Sequence, residues 1–230
     1  MPPPRAAIFD FDGVIVDSEP LHFIAFQRVL AEEGIALALA TYEARYLAMD
    51  DKACFTAAFA DAGKPLSPEH LAELIERKEV SLADDLRRAR LFPGAPEFIR
   101  MLAARIPLAI NSGALRSEIE LVLNANGLRD CFQMIVSAED VTHCKPDPEG
   151  YRLALARLNE GRAEPFAAEE CFVVEDSVHG VSSARGAGMP CIAVTNSYTA
   201  DHLGHATFIV ESLAGLNWND VIFRLQNPNV

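Results

Sequence analysis

Two aspartates one residue apart, Asp10 and Asp12, close an apolar run of Ala6, Ala7, Ile8 and Phe9 and lead into Gly13. If the chain stays extended through them, both side chains point the same way, about 6 to 7 Å apart. Ionised carboxylates so placed repel unless a cation sits between them or one of them holds a proton. A surface turn with incidental acids is the plainer alternative.

Three further polar features follow apolar runs. Asn111, Ser112 and Gly113 come after Leu108-Ala109-Ile110, and Glu175 and Asp176 come after Phe172-Val173-Val174. Lys145, in Lys-Pro-Asp-Pro, follows Met134-Ile135-Val136 by a loop. Singly, each has an ordinary reading. Ser112 could cap a helix beginning near residue 115, Lys145 could be a solvated loop lysine, and Glu175 and Asp176 could favour the start of a helix after Ser177. Together they lie at the carboxyl ends of successive runs, where ligands bind in open α/β sheets.

Positioning these groups requires strands. Apolar runs at Ala6 to Phe9, Pro107 to Ile110, Phe132 to Val136, Cys171 to Val174, Pro190 to Val194 and Thr207 to Val210 alternate with helical patterns. Ile119, Val122 and Leu123 recur at helical spacing from Leu115, with Gly127 as a stop. The pattern predicts an α/β fold with a Rossmann-like parallel sheet. Residues 17–91 contain no convincing strand. Leu21, Ile24, Phe26, Val29 and Leu30 form a helical face ended by Gly34, and helical stretches cover roughly 41 to 62 and 68 to 90. The division expected is a core of residues 1–16 and 92–230 with an all-helical insert at 17–91.

With 230 residues, half of them hydrophobic, the chain can bury a sizeable core without a disulfide or structural metal. Its charge of -13, from 33 acidic and 20 basic residues, disfavours nonspecific binding to nucleic acid or an anionic membrane. Five scattered cysteines (Cys54, Cys131, Cys144, Cys171, Cys191) suggest neither a disulfide framework nor a zinc site. Met-Pro-Pro-Pro-Arg lacks the apolar stretch of a signal peptide, and no segment reaches membrane-spanning length, so a cytoplasmic location is expected.

The four features in this order resemble the motifs of the haloacid dehalogenase superfamily, most of whose members are phosphatases. Asp10-Phe11-Asp12-Gly13 matches the first motif, Ser112 the second, Lys145 the third and Glu175-Asp176 the fourth. The resemblance covers nearly the whole chain, the insert taking the place of a helical cap domain. It is narrower to the group of phosphoglycolate phosphatases, sugar-phosphate phosphatases and β-phosphoglucomutase.

That resemblance implies a Mg²⁺-dependent phosphatase acting on a small phosphorylated metabolite. Asp10 is then the nucleophile that forms an aspartyl-phosphate. The Asp10 carboxylate, the Asp12 backbone carbonyl and Asp176 hold the metal, with Glu175 reaching it through a water. Asp12 protonates the leaving oxygen and later activates water. Ser112, Gly113 and Lys145 receive the phosphoryl group. His22 matches a cap histidine of the β-phosphoglucomutase group that touches substrate; an ordinary helix-surface histidine is the competing reading.

Asp12 argues against haloacid dehalogenases and phosphonate-cleaving relatives, which lack this second aspartate. A phosphoglucomutase-type phosphotransferase uses both aspartates and stays open. Its basic contacts to a second phosphate fall, however, on Asp51 and Leu115, which cannot make them. A non-catalytic phosphate-binding relative would have lost a motif residue, and none is missing. His143 and Cys144 are read as chance neighbours of Lys145, His179 and Gly180 as shaping the loop into the next helix, and Asp50, Asp51 and Lys52 as a solvated cluster. Phe23, Phe26, Tyr42, Tyr46 and Phe55 are left unassigned between core and cleft. The sequence leaves monomer and dimer equally open.

Overall fold

The computed structural model describes residues 3–46 and 49–227. Six strands, β1 (Ala6–Phe9), β2 (Leu108–Asn111), β3 (Met134–Val136), β4 (Cys171–Glu175), β5 (Cys191–Val194) and β6 (Phe208–Val210), form one parallel sheet. Every residue of β1, β2, β4 and β5 is buried, which is why these strands read as unbroken apolar runs rather than alternating ones.

The strand order is β3-β2-β1-β4-β5-β6. Ile8 of β1 lies opposite Ala109 on one side and Val173 on the other. The chain thus winds outward from β1 through β2 and β3, then crosses to the far side of β1 for β4 to β6. The reversal puts a crevice at the carboxyl ends of the central strands β1, β2 and β4.

The chain divides into two compact units, Ser18–Ala89 and the remainder. The elements among the described residues of the first are all helices: α1 (Glu19–Glu32), α2 (Leu39–Arg45), α3 (Asp51–Asp61) and α4 (Pro68–Leu86). The helical stretch read across 41 to 62 is two helices, because the Asp50 carboxylate accepts the Ala53 N–H at 2.7 Å and starts α3 afresh. The stretch read to residue 90 stops at Leu86. Phe26, Tyr42, Tyr46 and Phe55 pack with Phe59 and Leu74 into the core of this unit. They are core residues, and Phe23 lies half-buried against them.

Among the described residues, five α-helices belong to the sheet unit: α5 (Ala95–Ala103), α6 (Arg116–Ala125), α7 (Glu149–Asn159), α8 (Val178–Gly186) and α9 (Trp218–Gln226). Alternation along the strands sends Ala6, Ile8, Cys171 and Val173 into one cluster with Tyr151, Ala154 and Leu158 of α7 and Val181 and Ala184 of α8. Phe9 points the other way and meets Phe98 of α5 and Phe132 edge-on, at centroid distances of 6.1 and 5.8 Å. Covered on both faces, the sheet is open only at its ends. No helix among the described residues is long and apolar enough to cross a membrane.

Candidate active site

Asp10 continues the Ala6, Ile8 face of β1, and Glu175 ends the Cys171, Val173 face of β4, so pleating aims both carboxylates toward α7. Asp176 follows at once. Carboxylate oxygens of Asp10, Glu175 and Asp176 lie within 4.8 Å of one another, and all three residues are buried. Lys145 arrives from the loop before α7 and bridges two of them, with Nζ 2.8 Å from Asp10 Oδ1 and 2.7 Å from Glu175 Oε1.

Asp12 lies just beyond the strand, in an isolated bridge with Val16. The strand ends at Phe9, and the Phe11 carbonyl then accepts the Ile15 N–H at 2.8 Å in a tight turn that needs Gly13 at φ 76°. Glu175, which ends β4, and Asp176, which follows it, are the carboxylates gathered within 4.8 Å of Asp10. Asp12 is half-buried, and its charge adds to the burial and the Glu175 charge that raise the pKa of Asp176. A Cβ on Gly13 would lie 1.9 Å from Asp176 Oδ2, so this glycine also clears the space that Asp176 occupies.

The charges do not balance within the cluster. Burial, then the Glu175 and Asp176 charges, push the Asp10 carboxyl well above its ordinary range, against the pull of Lys145. Burial and Glu175 raise Asp176 to about 7. Glu175 goes the other way: burial would raise it, but the charge and hydrogen bond of Lys145, with Tyr151 and the Ser177 N–H, hold it low. Burial would strip Lys145 of its proton, yet Asp10 and Glu175 hold it on, with its pKa raised. One ammonium among three buried carboxylates leaves a deficit of positive charge on Asp10 and Asp176.

Glu175 is fully buried, and five donors meet it. Oε1 accepts from Lys145 Nζ at 2.7 Å and from the Tyr151 hydroxyl at 2.7 Å. Oε2 accepts from the Asp176 N–H (3.0 Å), the Ser177 N–H (3.2 Å) and the Ser177 hydroxyl (3.1 Å). Gly180 makes room for it, since a Cβ there would fall 1.8 Å from Oε1. Gly180 and His179 belong to the first turn of α8 rather than to a loop, and His179 is exposed.

Ser112 and Gly113, just beyond β2, line a cavity of about 120 Å³ together with Asn111, Cys144 and Lys145. Ser112 is buried and its hydroxyl oxygen accepts the Ala114 N–H at 3.0 Å. It does not cap α6, whose N-cap position is Leu115. Gly113 is exposed and has open space around its Cα. His143 pairs with Glu149 at 2.8 Å, and the neighbouring Cys144 is exposed.

Three supporting residues escaped the sequence reading. Tyr151 lies on the buried face of α7, where its spacing with Ala154 and Leu158 reads simply as core. Ser197, after β5, donates a short hydrogen bond to Asp176 Oδ2, and Asn196 Nδ2 donates to the Gly13 carbonyl at 2.7 Å. Nothing in the local sequence marks this pair, because their partners are distant in the chain.

His22 belongs to the helical unit. Its Nδ1 lies 2.9 Å from Lys78 Nζ, which also meets both Asp51 oxygens at 2.8 Å. An ammonium has only donors to offer, so His22 accepts and is neutral; burial and Lys78 lower its pKa to about 3. Asp51 is therefore the half-buried partner of a buried lysine rather than part of a fully solvated cluster. Leu74, Lys78, Leu82 and Leu86 share the buried face of α4, and a lysine in that row is the signal that could have found it.

Buried oxygen donors with an unmet need for positive charge suit a hard divalent cation. A sequence profile for haloacid dehalogenase-like hydrolases matches residues 7–194. The chain belongs to that family. It is 28% identical over 216 residues to validoxylamine A 7'-phosphate phosphatase of Streptomyces hygroscopicus subsp. limoneus, covering 93% of this chain and 96% of that one. It is 29% identical to the phosphorylated carbohydrates phosphatase of Thermotoga maritima, over 80% of this chain and 82% of the relative. Among solved structures, CbbY from Rhodobacter sphaeroides in complex with phosphate superposes with a TM-score of 0.80 at 26% identity, covering 93% and 96% of the two chains.

Proposed function

We propose that this chain is a Mg²⁺-dependent phosphatase that hydrolyses a small phosphate monoester of the sugar-phosphate class through an aspartyl-phosphate. The observation that carries this is the contact of Lys145 with Asp10 at 2.8 Å, at the centre of three buried carboxylates. A carboxylate held by an ammonium, beside oxygens that call for a cation, is a nucleophile set to approach a phosphoryl group. Family membership and phosphatase relatives of nearly the same length support the reading.

Asp10 and Asp176, with the Asp12 backbone carbonyl, would hold the metal, and Mg²⁺ there supplies charge neutralisation for the phosphoryl oxygens. A carboxylate oxygen of Asp10 attacks phosphorus as the bond to the ester oxygen breaks, and Asp12 gives its proton to that leaving oxygen. Asp12 then takes a proton from the water that cleaves the acyl-phosphate, which releases inorganic phosphate and restores both aspartates. Ser112, Gly113 and Lys145 receive the phosphoryl oxygens, and the helical unit takes the role of a cap that selects the leaving group. The chain would act in the cytoplasm.

The test is phosphate release from a panel of monoesters with and without Mg²⁺. Activity should require the metal and fall by at least about 10³-fold in Asp10→Asn. Full activity in that variant would sink the mechanism. Isomer interconversion without net phosphate release would indicate a mutase instead. Asp51 weighs against that outcome, because its carboxylate already occupies the Lys78 ammonium.

A further inference from the structure

Tyr151 has no place in the chemistry just described, yet it is fully buried and its hydroxyl touches the site. A buried hydroxyl is costly to strip of water unless it is hydrogen-bonded, and phenylalanine would fill the same space without that cost. The hydroxyl donates to Glu175 Oε1 at 2.7 Å, the oxygen that also takes Lys145 Nζ at 2.7 Å. The ring presents its face to the same ammonium, 5.3 Å from Nζ to the centroid. One side chain thus contacts both members of the ion pair that reaches Asp10.

We infer that Tyr151 is a positioning residue for phosphoryl transfer, acting through Glu175 and Lys145 on Asp10. This rests on the phosphatase reading above. The geometry supplies a chain of contacts from Tyr151 OH to Glu175 Oε1, to Lys145 Nζ, to Asp10 Oδ1. Glu175 Oε2 is fixed separately by the Asp176 and Ser177 N–H groups and the Ser177 hydroxyl. The carboxylate is therefore oriented from both ends. Held by these donors, Glu175 keeps Lys145 where its ammonium faces Asp10.

Lys145 has rotatable bonds along its whole stem, and its ammonium must lie where it faces Asp10 before and during attack. Removing the Tyr151 hydroxyl frees Oε1 to turn and lets the ammonium follow. Outer-shell partners of this kind change activity by roughly 10–100-fold when removed.

The experiment compares Tyr151→Phe with wild type alone and in a Lys145→Met background, reading kcat, KM, Mg²⁺-supported orthovanadate affinity and melting temperature. Tyr151→Phe should lower kcat about 10-fold, with KM within about 2-fold and melting close to wild type. Vanadate, which adopts transition-state-like geometry, should bind about 10-fold more weakly. Added to Lys145→Met, the same substitution should change neither quantity further, a non-additivity that a purely structural tyrosine would not show. Unchanged kcat in Tyr151→Phe, or an equal loss with and without Lys145, overturns the inference. Tyr151→Met gives the same comparison if the phenylalanine variant does not fold. A wild-type protein that releases no phosphate tells against the hydrolase reading, and vanadate affinity then decides the positioning role by itself.

Discussion

At Gly13 and Gly180 the missing side chain is what lets a carboxylate reach its place. Gly180 has an ordinary helical backbone, so the reason for glycine there is contact alone: a Cβ would lie 1.8 Å from Glu175 Oε1. Gly180→Ala should therefore cost about 2–3 kcal/mol of stability by overpacking, read as a shifted midpoint in urea. Gly113→Ala meets open space and should leave the midpoint within about 0.5 kcal/mol. Any loss of activity in that variant then reports on the cavity beside Ser112 and Lys145 and not on folding.

Among the elements, the carboxyl end of β3 is tied to two helices through one residue. Asp140 accepts from the Ser137 N–H at 2.9 Å, from Arg116 of α6 at 2.5 Å and from Arg157 of α7 at 2.8 Å. Burial alone would raise its pKa, but Arg157, Ser137 and Arg116 together hold the carboxyl well below its ordinary value. A folded-state pKa below the unfolded one gives stability that is present above about pH 4 and lost as pH falls toward the depressed value. Asp140→Asn should thus lower stability by roughly 1–3 kcal/mol near neutrality. The difference from wild type should shrink in melts run between about pH 4 and pH 2. A difference that grows on acidification would contradict the role given to these arginines.

For the whole molecule, the site stores repulsion that a bound cation would relieve. Of the three buried carboxylates Lys145 pairs with Asp10 and Glu175, and burial with Glu175 raises Asp176 to about 7. Mg²⁺ should raise the melting temperature of the protein, because a ligand that binds only the folded state stabilises it. Asp176→Asn should melt higher than wild type in EDTA and lose the Mg²⁺-dependent rise. A metal response that survives in Asp176→Asn would place the cation elsewhere. The net charge of -13 makes local neutralisation at this site more telling, since the rest of the surface offers an anionic substrate little attraction.

The sequence by itself determined the sheet and where its polar groups gather. Strands buried on both faces must be apolar throughout, so a polar residue can appear only where they end, and Asp10, Ser112 and Glu175-Asp176 mark those ends. The helical unit was legible for a similar reason: its helical periodicity and its glycine and proline breaks are local signals. Tertiary structure decided how the groups pair. Asp10 is crowded by Glu175 and Asp176 because β1 and β4 are neighbours, a fact of strand order rather than spacing. Tyr151, Ser197 and Lys78 look like core or loop residues until folding brings them to Glu175, Asp176 and Asp51. Hydrogen bonds and ion pairs between residues far apart in the chain leave no periodic trace, and only the fold shows which groups meet.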